Sequence, residues 1–147
     1  MIKIEIDDRK FKAEMEELIR RVTDRRALMR QIAGIMHYAV EENFAEQGRP
    51  RWLPLSPKTI AMRQKKGYWP GKILQMRGEL AASITQQSDN DSAIVGTNKV
   101  YAAIHQFGGK AGRGKKVDIP ARPFLKLTDE DLEEIKRAVV EYLKGGG

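Results

Sequence analysis

Apolar residues change their spacing several times along this chain, and each change marks an element. Ile2, Ile4 and Ile6 alternate with charged residues and predict an opening strand. Phe11, Met15, Leu18, Ile19 and Val22 then recur at helical spacing. Thr23 reads as the N-cap of a second, longer helix, which carries Leu28, Ile32, Ile35, Met36, Ala39, Val40 and Phe44 and stops near Gly48. Ser56 followed by Pro57 is a cap with proline at the first helical position, predicting a short helix that ends near Lys66. Glycine and proline make 67–71 a loop, and a short helix around 77–82 leads into a hairpin. Its strands are predicted at 83–87 and 93–97, joined by the turn residues Ser88, Asp89, Asn90 and Asp91. A short helix at 101–107, an extended segment at 117–127 and a closing helix follow. Thr128 with Asp131 three residues on approximates a capping box for that helix, whose apolar stripe is Leu132, Ile135, Val139 and Leu143. The pattern predicts an α+β fold, with a small antiparallel or mixed sheet packed against long helices, in a single domain over 1–147.

Charge adds a division that the apolar pattern does not show. The formal net charge is +7, yet the window 47–78 contains no acidic residue and holds Arg49, Arg51, Lys58, Arg63, Lys65, Lys66, Lys72 and Arg77. Lys110, Arg113, Lys115, Lys116 and Arg122 form a second basic run against Asp118 alone. The flanks are mildly acidic. Such one-sign surfaces attract an anionic partner, either nucleic acid or an acidic protein face. The absence of cysteine excludes a disulfide framework and thiolate metal sites. The alternating start argues against a signal peptide, and no run approaches the roughly 18 apolar residues of a membrane span. A protein without membrane association is expected.

Catalytic readings fare poorly. Residues 109–115 meet the G-x-x-x-x-G-K spacing of a phosphate-binding loop, but Lys116 stands where a Ser or Thr hydroxyl is required. A helical pattern precedes it, and Val117-Asp118-Ile119-Pro120 is a poor helix start. The residues read instead as a flexible basic loop at about 108–117. The two histidines, His37 and His105, have no acidic residues at ligand spacing, so no metal or cofactor is expected. Asp129, Glu130, Asp131, Glu133 and Glu134 fill the first turns of the closing helix, where they favour its dipole. No catalytic residue is assigned, and the chain is not read as an enzyme.

The remaining signals concern contact surfaces. Trp52 and Leu55 are expected in the core. Tyr68 and Trp69, held between Gly67 and Pro70-Gly71, suit a loop tip that docks on a neighbour. His105 is placed at the glycine turn or at a subunit contact. Pro120 and Pro123 withhold two ladder donors, so the strand carrying Arg122 belongs at a sheet edge, with the guanidinium free for a neighbouring acid. Ile119, Phe124 and Leu125 are expected in the core. The interface candidates are therefore Tyr68, Trp69, His105, Lys110, Arg113, Lys115, Lys116 and Arg122.

Five motifs in order then carry a resemblance. They are Trp52-x-x-Leu55-Ser56-x-x-Thr59 with Arg63; Ile73-Leu74 with Gly78-Glu79-Leu80; Val95-Gly96-Thr97; YAAIHQFGG from Tyr101; and IPARPFL from Ile119. In this order they resemble the phage virion morphogenesis family, which includes tail-completion proteins of temperate phages. The resemblance spans nearly the whole chain. It implies a structural protein that completes the tail and helps join it to the head, through ring-like self-assembly. It also implies contacts with adjacent tail or connector proteins, at the tail end or neck of the virion, with the host cytoplasm as the place of assembly. The alternative from charge alone is a DNA-binding module contacting phosphates through 49–77 and 110–116, and packaged DNA is counted among the candidate partners.

Overall fold

The computed structural model describes residues 2–4, 9–20, 22–75, 78–115 and 117–145. Ile6, Arg77 and Lys116, each given a place by the sequence, lie outside the described residues. The elements run β1 (Ile2–Ile4), α1 (Arg9–Ile19), α2 (Arg26–Ala45), α3 (Pro57–Lys66), α4 (Glu79–Ala82), β2 (Thr85–Ser88), β3 (Ala93–Thr97), α5 (Ala102–Phe107), β4 (Gly109–Ala111), β5 (Val117–Ile119) and α6 (Asp129–Lys144). A turn of 3-10 helix at Arg113–Lys115 links β4 and β5. The α+β class holds. Every strand pairing is antiparallel: β1, β3 and β2 form one sheet with β3 central, and β4 with β5 forms a separate two-stranded ribbon.

Helix α2 is the spine because its apolar residues repeat every four positions. Leu28, Ile32, Met36, Val40 and Phe44 are all buried, and Leu28, Met36 and Val40 have no exposed surface. One side of α2 packs on α6, where Ile135 and Val139 are fully buried, and another packs on β2 and β3 around Val95. Helix α1 adds Phe11, Met15 and Ile19 against α6. These side chains form one continuous core.

Several boundaries follow the predicted chemistry. Ser56 Oγ accepts the Thr59 N–H at 3.2 Å, with Pro57 opening α3 and Gly67 closing it in the left-handed conformation. Thr128 and Asp131 form a full capping box at α6, at 3.2 and 2.8 Å.

The start of α2 differs from expectation. Thr23 does not cap it. Asp24 Oδ1 instead takes the Arg26 N–H at 3.2 Å, and Asn90 Oδ1, from the β2–β3 turn, takes the Arg25 N–H at 2.6 Å. The turn is held by Asp89, whose Oδ1 accepts from Asp91 N, Ser92 N and Ser92 Oγ. A cap supplied from 65 residues away leaves no local signature.

The largest departure is the segment after β5. Residues 120–127, read as part of one long strand over 117–127, are irregular and pair with no strand among the described residues. Their polar backbone groups bond to side chains instead. Asn43 Nδ2 donates to Phe124 O at 2.7 Å and Lys126 O at 3.0 Å. Gln106 Oε1 accepts the N–H groups of Phe124 and Leu125, and its Nε2 returns a bond to Leu125 O. Trp52 Nε1 donates to Pro123 O at 3.0 Å. Phe124, fully buried, then packs on Phe44 at a ring separation of 5.3 Å, and Trp52 meets Phe44 edge-on. Leu125 is buried as expected, whereas Ile119 is only partly so.

Beside Asn43 lies an ion pair. Arg49 donates to both Asp131 oxygens at 3.1 and 2.8 Å, to Asn43 Oδ1 at 2.7 Å and to Ala39 O at 2.8 Å. The chain reaches this position through Gly48, at φ 104°, where an added Cβ would sit 2.5 Å from Trp52 N.

Two substitutions test this interior. Phe124→Ala is expected to cost about 3–5 kcal/mol through the cavity it opens. Asn43→Ala strands two carbonyls and a guanidinium donor at once and is expected to cost about 3 kcal/mol. Leu53→Ala, at a side chain 62% exposed, should change stability by less than about 0.5 kcal/mol. Denaturant unfolding of the three variants measures the ranking, and equal losses for Asn43→Ala and Leu53→Ala contradict it.

Candidate assembly interface

The run expected to be a loop at 108–117 is a hairpin. Gly109 pairs with Ile119, Lys110 with Asp118 and Ala111 with Val117, so β4 and β5 form a short arm. Gly108 lets it leave α5. Its φ is 74°, and a Cβ there would lie 2.8 Å from Ala121 N. This geometry also closes the nucleotide reading, since residues 109–115 run as strand and 3-10 turn rather than as a loop opening an α-helix. Lys110, Arg113 and Lys115 are exposed on the arm. Lys110 Nζ stands 3.9 Å from Asp118 Oδ1 with both side chains largely in water, a pair that contributes little.

Beside these cations are apolar groups that the sequence did not single out. Phe107 is 71% exposed at the end of α5, and Val117 is 53% exposed on β5. From sequence, Phe107 is only the last residue of the short helix predicted at 101–107. Its neighbour Gln106 takes the inward role, and a six-residue helix turns the next side chain outward. Tyr68 is exposed and Trp69 half-buried in the loop after α3, where the Tyr68 N–H bonds Arg63 O at 2.8 Å. The structure thus gives two exposed features, the arm with Phe107 and the Tyr68 loop.

Arg122 requires a correction. It is not free at a sheet edge: only 7% of its surface is exposed, Nε donates to Leu53 O and Nη2 to Pro54 O, both at 3.0 Å. The prolines remove ladder partners, and the arginine turns inward to satisfy carbonyls of the 53–54 segment. Arg63, counted in the basic window, is 5% exposed and donates Nη1 to Lys72 O at 2.9 Å. Burial pushes the Arg63 guanidinium below its ordinary value, and burial followed by the charge of Arg63 does the same to Arg122.

His105 lies between these groups and the surface. Its carbonyl accepts the Arg122 N–H at 2.8 Å, and its ring meets Tyr101 edge-on at 6.2 Å. The ring Nδ1 is buried without a partner among the described residues. Burial first, and the Arg122 charge second, hold the imidazole below its usual pKa of 6.5.

Acidic side chains gather around Tyr38 on α2. Tyr38 is 58% exposed on α2, and a hydrogen bond to Glu42, together with the charges of Glu134 and Glu41, raises its pKa. Basic residues fill the last turn of α3, and acidic residues fill the first turn of α6. No group of three or more His, Cys, Asp or Glu residues among the described residues is placed to hold a metal ion.

Taken with this fold, comparison with known proteins defines the class. The chain matches the phage virion morphogenesis family over residues 6–144 and belongs to that family. It is 47% identical over 145 residues to the Mu-like prophage FluMu G protein 2 of Haemophilus influenzae, covering 98% of this chain and 97% of that one. It is 36% identical to the G protein of Escherichia phage Mu, whose name proposes capsid assembly, over 92% of this chain and 90% of the relative. It is 28% identical to tail completion protein S of Escherichia phage P2, over 82% and 85%. No solved structure matches it significantly.

Two outcomes are expected from the inward arginine and the partnerless histidine. Arg122→Ala, which leaves two carbonyls without a donor, is expected to lower stability by about 2 kcal/mol. Unchanged denaturant unfolding would restore Arg122 to the surface. Because the folded state holds His105 below the unfolded value, the unfolded chain binds the proton first. The stability tied to His105 is thus complete above about pH 6.5 and is lost as pH falls through that value towards the folded pKa. Melting temperature is expected to drop between pH 7 and 5.5, and His105→Gln to flatten that slope. An unchanged slope removes His105 as its source.

Proposed function

We propose that this protein is a structural component that completes the phage tail and helps join it to the head, through ring-like self-association and protein–protein contacts. The observation that carries this reading is the exposed β4–β5 arm with Phe107, Val117, Lys110, Arg113 and Lys115, on a chain of the virion morphogenesis family. An arm of this kind is too small to add to the core, and it offers apolar area ringed by charge, the composition of a contact surface. The name of the P2 relative, tail completion, supports the tail as the place of action. The basic middle and mildly acidic flanks of the chain suit heterologous contacts between copies, which close into rings when the rotation permits. In this reading the protein sits at the tail end or neck beside adjacent tail or connector proteins, and reaches it from the host cytoplasm. Catalysis has no part in it.

The exposed Lys58, Lys65 and Lys66 on α3, with the arm cations, favour a second reading as a module that binds DNA phosphates. That reading loses Arg49 and Arg63 to internal hydrogen bonds. A log–log salt slope near zero for duplex binding counts against it, since each phosphate contact adds about 0.9 to the slope.

The assembly reading is tested in particles. Particles made without the protein are expected to show unjoined heads and tails by negative-stain microscopy, and the wild-type chain to restore joining. Joined particles in its absence contradict the reading. The double substitution Phe107→Ser with Val117→Ser should leave stability within roughly 1 kcal/mol, as expected for exposed positions, while failing to restore joining. A protein that remains monomeric both alone and within purified particles contradicts ring formation. Limited trypsin digestion should cut first at Lys110, Arg113 or Lys115, the exposed cations of the arm.

A further inference from the structure

An open cleft of about 340 Å³ lies between α3, α4 and α5, and its walls are divided by chemistry. Met62, Leu74 and Leu80 supply apolar surface, and Arg63, His105, Thr59 and Tyr101 supply donors. Arg63 is 5% exposed, and the only hydrogen bond its side chain makes among the described residues is from Nη1 to Lys72 O. Its Nε and the His105 Nδ1 are buried and unpartnered. Arg122 is close enough for its charge to act on His105, and Arg63 close enough to act on Arg122. No carboxylate among the described residues bonds either arginine. Glu79 lines the cleft, but it is exposed and bridges to neither.

Buried cations of one sign without a counter-charge are costly, because backbone carbonyls replace only part of the lost hydration. Two guanidiniums kept this close, with a free donor on Arg63 and no bonded carboxylate, are short of one negative charge. We propose that this cleft binds a carboxylate, specifically a glutamate side chain presented by a docking protein chain, with Arg63 and His105 at its polar end. The guanidinium fork matches the two oxygens of a carboxylate. The apolar wall of Met62, Leu74 and Leu80 matches the methylene stem of glutamate and would be left unmatched by a bare phosphate. The nearly complete burial of Arg63 keeps it from the convex backbone of a DNA duplex. The site stands independently of whether copies of the protein close into a ring.

The test uses the full chain and a blocked glutamate, N-acetyl-glutamate N-methylamide, whose only charge is its side-chain carboxylate. The blocked glutamine analogue and inorganic phosphate are compared at matched ionic strength. Titration is followed by the ring carbon–proton resonances of His105. The glutamate probe is expected to shift them saturably and the glutamine probe to leave them in place. Arg63→Gln is expected to abolish the shift. Glu79→Gln, an exposed change that removes the one described carboxylate lining the cleft, is expected to tighten binding about twofold to threefold. If Arg63→Gln fails to fold, the Glu79→Gln result decides. Equal responses to the glutamate and glutamine probes, or no tightening in Glu79→Gln, overturn the site. Tighter binding of phosphate than of glutamate overturns its assignment to a carboxylate.

Discussion

The fold depends on solving one problem, the passage of residues 120–128 through the interior without a strand to pair with. Two prolines deny the segment the donors of a ladder, yet Phe124 must reach a fully buried position against Phe44. Each polar backbone group brought inside needs a partner, because an unmet one costs about 1–3 kcal/mol. Asn43 and Gln106 supply these partners from two different helices, and Trp52 supplies a third from the loop between. Asn43 is in turn oriented by Arg49, which is itself held by both oxygens of Asp131. The end of α2, the segment and the start of α6 are thus one hydrogen-bonded unit. A network of this kind is stable only when all of its members are satisfied.

That solution changes what the net charge of +7 means. Composition treats every arginine as surface, but Arg49, Arg63 and Arg122 are drawn inward to carbonyls, an amide and a carboxylate. Arginine suits this use because its guanidinium is weakly hydrated and offers five donors in a fixed fork. The exposed positive surface is correspondingly built from lysines of α3 and from the arm. The basic window of the sequence therefore combines two functions, internal bracing by arginine and surface charge chiefly by lysine, which residue counting merges.

Much of the framework was legible because its causes are local. The four-residue repeat of α2, the Ser56-Pro57 start of α3, the Thr128–Asp131 box and the 93–97 strand each depend on neighbours in sequence. The parts that were not legible depend on residues far apart. Asn90 caps α2 from 65 positions away, so Thr23, the best local candidate, was given its role. The apolar and β-branched residues near Ile119 suggested a strand through 127, but side-chain amides replaced the ladder after Ile119. The candidate contact residues divide in the same way. Lys110, Arg113, Lys115 and Tyr68 are exposed as their glycine-rich surroundings imply, whereas Arg122 follows carbonyls that no local pattern announces.

Helix α5 shows how the interior sets the exterior. In six residues it places Gln106 on the buried segment, His105 at the α3–α4 cleft and Phe107 in solvent. The Arg122 N–H bonded to His105 O, and Gly108 pressed against Ala121, tie the base of the arm to the same segment that Asn43 and Gln106 secure. The arm's direction is consequently determined by the packed core and not by its own two short strands. A two-stranded ribbon alone is marginally stable, and this one borrows its orientation from residues that are buried. The inward turn of Arg122 is therefore compatible with a role for its surroundings in assembly. It holds the base from which the exposed arm projects, and an arm with a fixed base can meet a neighbour with less ordering cost than a free loop.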